Sequence, residues 1–247
     1  MLLSESKNMK RALVTGGTKG IGQGITKMLL KEGYHVTLTY SSDETAAQKC
    51  AESLQVISPD FQIIKIDQSK SDDVNRLIGI LKEHQAIDCI VFNAGMTLRK
   101  SLQETTNDDW NQVMNFNVNT PVFMLRDLFD IIPHNSRIVF IGSEMALYPH
   151  GTSLAYGVSK SAVHALAQNL VKVFEGTNTT VNAIAPGFVE TEWQATKPQE
   201  IRQNIYNKTA IKRFATVEEI ADAVRFCINN AFVNGSIIEV SGGYCYK

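Results

Sequence analysis

Short runs of apolar, often β-branched residues alternate along this chain with longer segments in which apolar residues recur at helical spacing. Strands that alternate with helices build βαβ units, so this pattern predicts a parallel sheet with helices packed on both faces. Seven runs fit a strand, at residues 11–15, 35–40, 61–66, 89–92, 137–141, 180–185 and 236–240. We therefore expect an α/β fold with a doubly wound, seven-stranded parallel sheet.

Length and composition fit one globular unit. The 247 residues include 44% hydrophobic and 20% charged side chains, enough apolar material for a large core. No linker, low-complexity tract or fixed-period repeat divides the chain, so residues 1–247 are expected to form one domain. Residues 1–9 are expected to be a flexible terminus. The segment 190–213 lacks clear periodicity and is expected to be an irregular loop region near a substrate.

Charge and cysteine content narrow the partners and the compartment. Lys plus Arg total 24 against 25 Asp plus Glu, so nothing favours nucleic acid or a membrane surface as a partner. Cys50, Cys89, Cys227 and Cys245 stand alone, which fits a reducing cytoplasm better than a disulfide framework. The histidines show no metal-ligand spacing, so no metal is expected. Without an evident signal peptide or an apolar segment of ~18 residues, we expect a soluble, cytoplasmic protein.

Two helices can be predicted from particular residues. Thr216 followed by Glu219 forms a capping box ahead of an apolar stripe, so a helix should begin there. The segment 155–174 carries two apolar stripes, and Lys160 and Lys172 are its charged residues. A helix that is apolar on two sides covers its own sheet and a second surface as well. We therefore expect a homo-oligomer, with a tetramer favoured.

A glycine-rich loop follows the first predicted strand and precedes a helical segment. Gly16, Gly20 and Gly22 allow the backbone to turn tightly and to approach a pyrophosphate, whose charge the helix N-terminus favours. An ordinary glycine-rich turn is the alternative interpretation. At the first βα junction of a doubly wound sheet, such a loop is typical of dinucleotide binding, so a Rossmann fold is expected.

Tyr156 and Lys160 lie one turn apart on a predicted helix, so their side chains share a face. Alone, such a pair is more often part of a solvated surface. Here it follows the fifth strand, at the sheet edge where ligands bind in open α/β folds, and Ser143 comes directly after that strand. Reducing a carbonyl needs a hydride for carbon and a proton for oxygen, and a phenol beside an ammonium can supply the proton. We expect an enzyme.

The order of these motifs resembles that of the short-chain dehydrogenase/reductase family, over about residues 10–247. The matches are the glycine spacing at 16–22, Asp67, Asn93-Ala94-Gly95, Ser143, Tyr156 with Lys160, and Pro186-Gly187. The resemblance implies four catalytic residues, Asn117, Ser143, Tyr156 and Lys160. By this resemblance Tyr156 is the general acid in reduction, Lys160 lowers its pKa and holds the nicotinamide ribose, and Ser143 bonds the substrate oxygen.

The resemblance also implies which residues hold a nicotinamide dinucleotide. The residue at Asp67 bonds the adenine, the segment at Asn93 lines the cofactor, and Thr191 holds the carboxamide. The full set of expected cofactor-binding residues is Gly16, Thr18, Lys19, Gly20, Ile21, Gly22, Tyr40, Ser41, Ser42, Asp67, Gln68, Asn93, Ala94, Gly95, Tyr156, Lys160, Pro186, Gly187, Val189 and Thr191.

The cofactor preference can be argued from charge. An acidic side chain at the end of the second strand would bond the ribose 2′-hydroxyl and repel a 2′-phosphate. The residues at that place, 40–42, are Tyr-Ser-Ser, and Lys19 adds a cation, so NADP(H) is expected over NAD(H). Asp43 could take the acidic role if the strand ran further. Asp43 and Glu44 fit better as the first turn of the next helix.

Asn117 lies in a helix predicted to begin near Asn107. Pro121, one turn later, has no N–H, so the carbonyl of Asn117 should lose its helical partner. In the resembling family that carbonyl binds a water that connects the lysine to solvent. We therefore expect Pro121 to keep this carbonyl available.

Within the family, the chain most resembles bacterial 3-oxoacyl-[acyl-carrier-protein] reductases. That resemblance implies NADPH-dependent reduction of a 3-oxoacyl thioester in fatty-acid synthesis, with acyl carrier protein as a candidate partner. Glu144, Ala146, Ser241 and residues 148–150 depart from the subgroup's pattern near the substrate. One alternative is a carbonyl reductase or alcohol dehydrogenase acting on another small ketone, sugar or polycyclic alcohol. A non-catalytic dinucleotide-sensing protein is a second alternative, which the intact catalytic residues disfavour.

Overall fold

The structure, a computed structural model, describes residues 9–84, 86–148 and 153–244. Within these residues, seven parallel strands form one sheet in the order β3-β2-β1-β4-β5-β6-β7. The strands are β1 (Arg11–Val14), β2 (His35–Tyr40), β3 (Phe61–Lys65), β4 (Cys89–Phe92), β5 (Arg137–Ile141), β6 (Thr180–Pro186) and β7 (Ile237–Val240). The predicted doubly wound parallel sheet is confirmed, and each predicted strand end lies within about one residue of the observed one.

Helices cover both faces of the sheet. In the described chain they are α1 (Gly20–Lys31), α2 (Glu44–Gln55), α3 (Ser71–Glu83), α4 (Asn107–Met114), α5 (Thr120–Leu128), α6 (Leu154–Val173), α7 (Glu192–Ala195), α8 (Gln199–Lys208) and α9 (Val217–Asn229). One buried core joins the sheet to α1, α2 and α9. The other core joins it to α3, α5 and α6. This is the layer arrangement of a Rossmann fold.

The central strands are buried on both faces, which explains their continuous apolar sequences. Every residue of β4 and β6 is buried, whereas β3, at the edge, has one buried residue, Ile64. The strand order reverses between β1 and β4. At such a reversal the loops that follow the two strands diverge, so a crevice opens at their carboxyl ends.

Two of the helix predictions can be compared directly with the structure. In the capping box of α9, Thr216 Oγ1 accepts from the Glu219 N–H at 3.2 Å, and the Glu219 carboxylate accepts from the Thr216 N–H at 2.8 Å. The predicted box is therefore confirmed. On α6, Val163 and Ala167 are buried in the core, while Val158 and Val173 are exposed. The second apolar stripe of this helix is thus on the surface of the chain.

The prediction that residues 190–213 are irregular is wrong for most of the segment, which contains α7 and α8. Ile205 is the buried residue of α8, so the helix has too few apolar positions to show a helical stripe in the sequence. Polar contacts hold the helix instead. Arg202 donates to the carboxylate of Glu190 at 3.0 Å and to the hydroxyl of Tyr206 at 2.8 Å.

Several predicted features fall on residues outside the described ranges, namely residues 1–8 of the expected flexible terminus, Cys245, and Pro149 and His150 beside the substrate region. Cys50, Cys89 and Cys227 are buried thiols. In the part of the chain that the structure describes, no helix is both long and apolar enough to cross a lipid bilayer.

Candidate active site

Asn93, directly after β4, holds the glycine loop between β1 and α1. Its side-chain amide donates to the carbonyl oxygens of Thr15 and Gly16, each at 3.0 Å. A Cβ on Gly22 would lie 2.2 Å from the Gly16 carbonyl oxygen and 2.5 Å from Asn93 Nδ2, so a side chain at position 22 would clash. The loop therefore presents bare backbone at the N-terminus of α1, which is suited to binding a pyrophosphate.

Lys19 in the loop forms an ion pair with Asp43, and Glu192 lies 3.8 Å from the same ammonium. Asp43 also caps α2, because its carboxylate accepts from the Ala46 N–H at 2.9 Å. Its hydrogen bond to Lys19 holds the pKa of Asp43 below its usual range. Since β2 ends at Tyr40, Asp43 is not on the strand, and its interpretation as the start of the next helix is confirmed.

A cavity at the ends of β2 and β4 could hold the adenosine end of a dinucleotide. It is lined by Gly16, Tyr40, Ser41, Ile66, Gln68, Asn93, Ala94, Gly95 and Phe116. Gln68 thus lies in the lining, whereas Asp67 does not, and the Asp67 carboxylate accepts from the Ser69 hydroxyl at 2.6 Å. Of the other residues expected to bind a cofactor, Ser42 is outside the lining and Val189 is buried in the core.

A second cavity lies between the glycine loop and α7. It is lined by Lys19, Gly20, Ile21, Gly22, Asn93, Thr191, Glu192, Trp193 and Thr196. Ile21, Asn93 and Trp193 also line the cavity that contains Ser143 and Tyr156. The cavities therefore adjoin, and together they extend along the carboxyl edge of the sheet from β2 to β6.

The reaction cavity, about 300 Å³ in volume, brings together three of the four predicted catalytic residues. Its lining consists of Ile21, Asn93, Gly95, Thr97, Ile141, Gly142, Ser143, Tyr156, Lys160, Pro186, Gly187 and Trp193. Ser143 follows β5, while Tyr156 and Lys160 are one turn apart near the start of α6. The Ser143 hydroxyl is near enough to the Tyr156 phenol to oppose the rise in its pKa.

Burial shifts the pKa values of Tyr156 and Lys160 in this cavity. It raises the pKa of the Tyr156 phenol, and the Ser143 hydroxyl opposes that rise. The same burial lowers the pKa of Lys160 to about 8. Lys160 Nζ donates to the Ile141 carbonyl at 2.7 Å and lies 5.7 Å from the centre of the Tyr156 ring. The phenol is thus protonated at neutral pH, as a proton donor has to be.

The expectation that Lys160 lowers the pKa of Tyr156 stays a prediction. The Lys160 ammonium lies 5.7 Å from the centre of the phenol ring, a distance at which a positive charge favours the phenolate.

Asn117 lies behind the cavity, in a five-residue π turn, Asn115–Asn119, between α4 and α5. The helix predicted to run through this position is therefore interrupted, because Pro121 cannot donate to the carbonyl one turn earlier. The buried side chain of Asn117 accepts from the Met96 N–H and donates to the Met96 carbonyl and the Ser159 hydroxyl, each at 2.8 Å. Asn117 therefore ties the loop after β4 to α6.

Sequence reasoning did not select eight of the residues that line these cavities, Ile66, Thr97, Phe116, Ile141, Gly142, Glu192, Trp193 and Thr196. Two weak signals were available. Phe116 adjoins Asn117, and Trp193 with Thr196 lies in the segment interpreted as a substrate loop.

Comparisons with known proteins identify the family. A family model described as short chain dehydrogenase matches residues 10–202. The chain is 30% identical to a 3-oxoacyl-[acyl-carrier-protein] reductase of Aquifex aeolicus over 240 residues, covering 95% of this chain and 96% of the relative. A hydroxynaphthalene reductase of Aspergillus fumigatus is 30% identical over 231 residues, covering 88% and 85%.

A solved structure has the same fold. The crystal structure of an angucycline C-6 ketoreductase with bound NADP superposes with a TM-score of 0.90 at 27% identity, and the match covers 96% of each chain. The family model covers most of the chain, from the strand before the glycine loop to α8, and includes Ser143, Tyr156 and Lys160. With its parallel seven-stranded sheet and this residue set at the carboxyl edge, the chain belongs to the short-chain dehydrogenase family of oxidoreductases.

Proposed function

We propose that this protein reduces a ketone to an alcohol with NADPH. The observation that carries the proposal is the half-buried Tyr156, protonated at neutral pH, which shares a cavity with Ser143 and Lys160. A phenol held in this state can give its proton to a carbonyl oxygen, and Ser143 can hold that oxygen in place.

The cofactor site fits a nicotinamide dinucleotide. Gly22 packs too closely against the Gly16 carbonyl oxygen to carry a side chain, and Gly20, Ile21 and Gly22 line a cavity at the start of α1 that can take a pyrophosphate. Gly16, Thr18, Lys19, Gly20 and Ile21 would hold the phosphates, and Tyr40, Ser41, Gln68 and Ala94 the adenosine. Tyr156, Lys160, Pro186, Gly187 and Thr191 would hold the nicotinamide end. When bound, the dinucleotide supplies the hydride that the chain itself cannot provide.

NADP(H) rather than NAD(H) is supported by the charge pattern near β2. Asp43, the acidic group nearest in sequence to the end of this strand, is committed to capping α2 and to its ion pair with Lys19. Lys19 lies in the glycine loop itself, where its ammonium can contact a 2′-phosphate. The solved relative with bound NADP and the same fold also supports this preference.

In the proposed reaction, each residue has a separate role. Ser143 donates to the substrate oxygen and orients it toward Tyr156. Tyr156 transfers its phenolic proton to this oxygen as negative charge develops there. The Lys160 ammonium places a positive charge next to the resulting phenolate and stabilises it. Its hydrogen bond to the Ile141 carbonyl fixes its position. Asn117 anchors α6, and its main-chain carbonyl would bind the water that returns a proton to Lys160.

For the substrate we propose a 3-oxoacyl thioester carried by acyl carrier protein in fatty-acid synthesis. The support is the similarity over 240 residues to the Aquifex aeolicus reductase of that class. A second candidate is a small or polycyclic ketone. Trp193, 59% exposed at the edge of the reaction cavity, offers a flat aromatic surface to a ring, and the hydroxynaphthalene reductase is equally similar.

We further propose one domain over residues 1–247, a cytoplasmic location and a homo-oligomer, with a tetramer favoured. The oligomer is supported by exposed apolar side chains on α5 and α6, among them Phe123, Val158 and Val173. Light scattering at micromolar concentration tests this assembly, and a monomeric mass would contradict it.

The experiment that tests the function is the loss of NADPH absorbance with a substrate panel. Acetoacetyl-CoA represents the thioesters, and a bicyclic hydroxynaphthalene ketone and a small aliphatic ketone represent the second candidate. NADH in place of NADPH tests the cofactor preference. Rapid oxidation with acetoacetyl-CoA supports the thioester assignment, and oxidation with the ketones alone supports the second candidate. No oxidation by any of them, although NADPH binds, would contradict the proposal.

A further inference from the structure

A buried carboxyl group lies directly behind the reaction cavity. Glu144 follows Ser143 and begins the short 3₁₀ turn Glu144–Ala146. Its side chain is 6% exposed, and its Oε2 atom has no hydrogen-bond partner among the described residues. A Cβ on Gly187 would lie 2.8 Å from this oxygen, so the carboxyl packs against the Gly187 backbone. Because Gly187 and Ser143 both line the cavity, the carboxyl is separated from it by one backbone segment.

The groups around Glu144 are acidic or neutral. Glu239 on β7 and burial together raise the pKa of Glu144 to about 7, with burial the larger cause. Tyr244, after β7, faces the same carboxyl, which contributes to raising the pKa of that phenol. Tyr148 and Ser241 donate from their hydroxyls to Glu239, at 3.3 and 2.6 Å. None of these described groups supplies a positive charge that would neutralise Glu144 when it ionises.

A nicotinamide ring changes charge during the reaction that we propose, and the present inference rests on that proposal. The ring is neutral when reduced and positively charged when oxidised. It has to enter the reaction cavity, because its hydride goes to a carbon whose oxygen is held by Ser143 and Tyr156. A carboxylate behind Gly187 attracts the oxidised ring across a region of low dielectric, whereas a neutral carboxylic acid does not.

We propose that Glu144 is a redox-sensing carboxyl, which ionises when the oxidised cofactor is bound and is protonated when the reduced cofactor is bound. Its ionised form then favours the oxidised product of the forward reaction. Near neutral pH, binding of NADP+ should release a proton, and binding of NADPH should not. Glu144 is thus a positioning residue. Its charge acts on the nicotinamide ring through the cavity wall, and its side chain does not touch the substrate.

The test compares the dissociation constants of NADP+ and NADPH between pH 6 and 8.5, in the wild type and in Glu144→Gln. Titration of the 2′-phosphate affects both nucleotides and cancels in the ratio of the two constants. Lys160, whose pKa is also near this range, contributes equally to both proteins. In the wild type, raising the pH should favour NADP+ over NADPH by about tenfold more than in the variant. Identical pH profiles of the ratio would overturn the inference.

A second variant keeps the inference testable if Glu144→Gln rearranges the structure locally. Glu239→Gln removes the neighbouring carboxylate, so the pH midpoint of the ratio should move down while its amplitude persists. Calorimetry in two buffers of different ionisation enthalpy gives the proton release directly. Greater proton release with NADP+ than with NADPH, by an excess that Glu144→Gln loses, supports the inference, and an equal excess in wild type and Glu144→Gln would overturn it. If the wild type binds neither nucleotide, the proposed function itself fails, and the inference with it.

Discussion

The side-chain amide of Asn117 donates a 2.8 Å hydrogen bond to the hydroxyl of Ser159, the residue before Lys160. The same hydroxyl donates to the Tyr156 carbonyl at 2.8 Å. The π turn thereby holds the turn of α6 that carries the proton donor, although Asn117 is not among the residues that line the reaction cavity. Placement of Tyr156 and Lys160 depends on a residue of a different helix.

This link predicts a graded response to substitution. Asn117→Ala leaves partly buried backbone groups of Met96 without their Asn117 partners and should lower the free energy of unfolding by about 2–4 kcal/mol, with a fall in kcat. Ser159→Ala removes one hydroxyl from the same network and should lower it by about 1 kcal/mol. Urea denaturation and NADPH oxidation measure both effects. Equal and small losses in the two variants would contradict the anchoring role of Asn117.

Lys19 should determine the preference for NADPH. Lys19→Met removes the cation beside the glycine loop and should weaken NADPH binding by about tenfold, with little change for NADH. Asp43→Asn keeps an N-cap for α2 while removing the carboxylate that pairs with Lys19, so NADPH should bind more tightly. Fluorescence titration measures both, with Lys31→Met at the end of α1 as a control. Parallel changes for NADPH and NADH would show that Lys19 does not read the 2′-phosphate.

The sequence predicted most of the fold because the strands are buried and continuously apolar, and turn residues bound them. It did not predict α8, because that helix is held by Arg202 and its polar partners, with one buried residue, Ile205. The π turn was also missed. Pro121 indicated a lost hydrogen bond, but an extra residue in the helical turn has no separate sequence signal.

The site was predicted unevenly for a similar reason. Ser143, Tyr156 and Lys160 follow from motif order, and the structure brings them to one cavity. Contacts between residues distant in the chain could not be read in the same way. The bond from Asn93 to the glycine loop and the proximity of Glu144 to Glu239 depend on the strand order, which places β4 beside β1 and β6 between β5 and β7.

Pro121→Ala tests whether proline keeps the Asn117 carbonyl available for water. Alanine supplies an N–H at the start of α5, which can bond this carbonyl and shorten the π turn. Proton return to Lys160 should then slow, with a few-fold fall in kcat and a shifted pH–rate profile. The measurement is kcat against pH, with and without D2O. A profile and an isotope effect identical to those of the wild type would contradict this role.

Glu144 predicts a pH-dependent stability. Its pKa is raised in the folded chain to about 7, above the usual value of 4.5, so the folded state loses stability as the pH rises from about 4.5 to about 7. Glutamine cannot ionise. Relative to the wild type, Glu144→Gln should therefore gain on the order of 2 kcal/mol in unfolding free energy between pH 5.5 and 8.5. Chemical denaturation at both pH values measures the change, with the exposed Glu52→Gln as a control. A constant difference between wild type and Glu144→Gln would contradict burial of an unpaired carboxyl.

The most direct test of the account is the activity of Tyr156→Phe, which keeps the ring and removes the proton donor. The dissociation constant for NADPH should stay within about twofold of the wild-type value, because the phenol hydroxyl is not needed to bind the phosphates. NADPH oxidation with the best substrate of the panel should fall by at least about a hundredfold. A variant that binds NADPH normally and retains a tenth of the wild-type rate would contradict the role of Tyr156 as the proton donor.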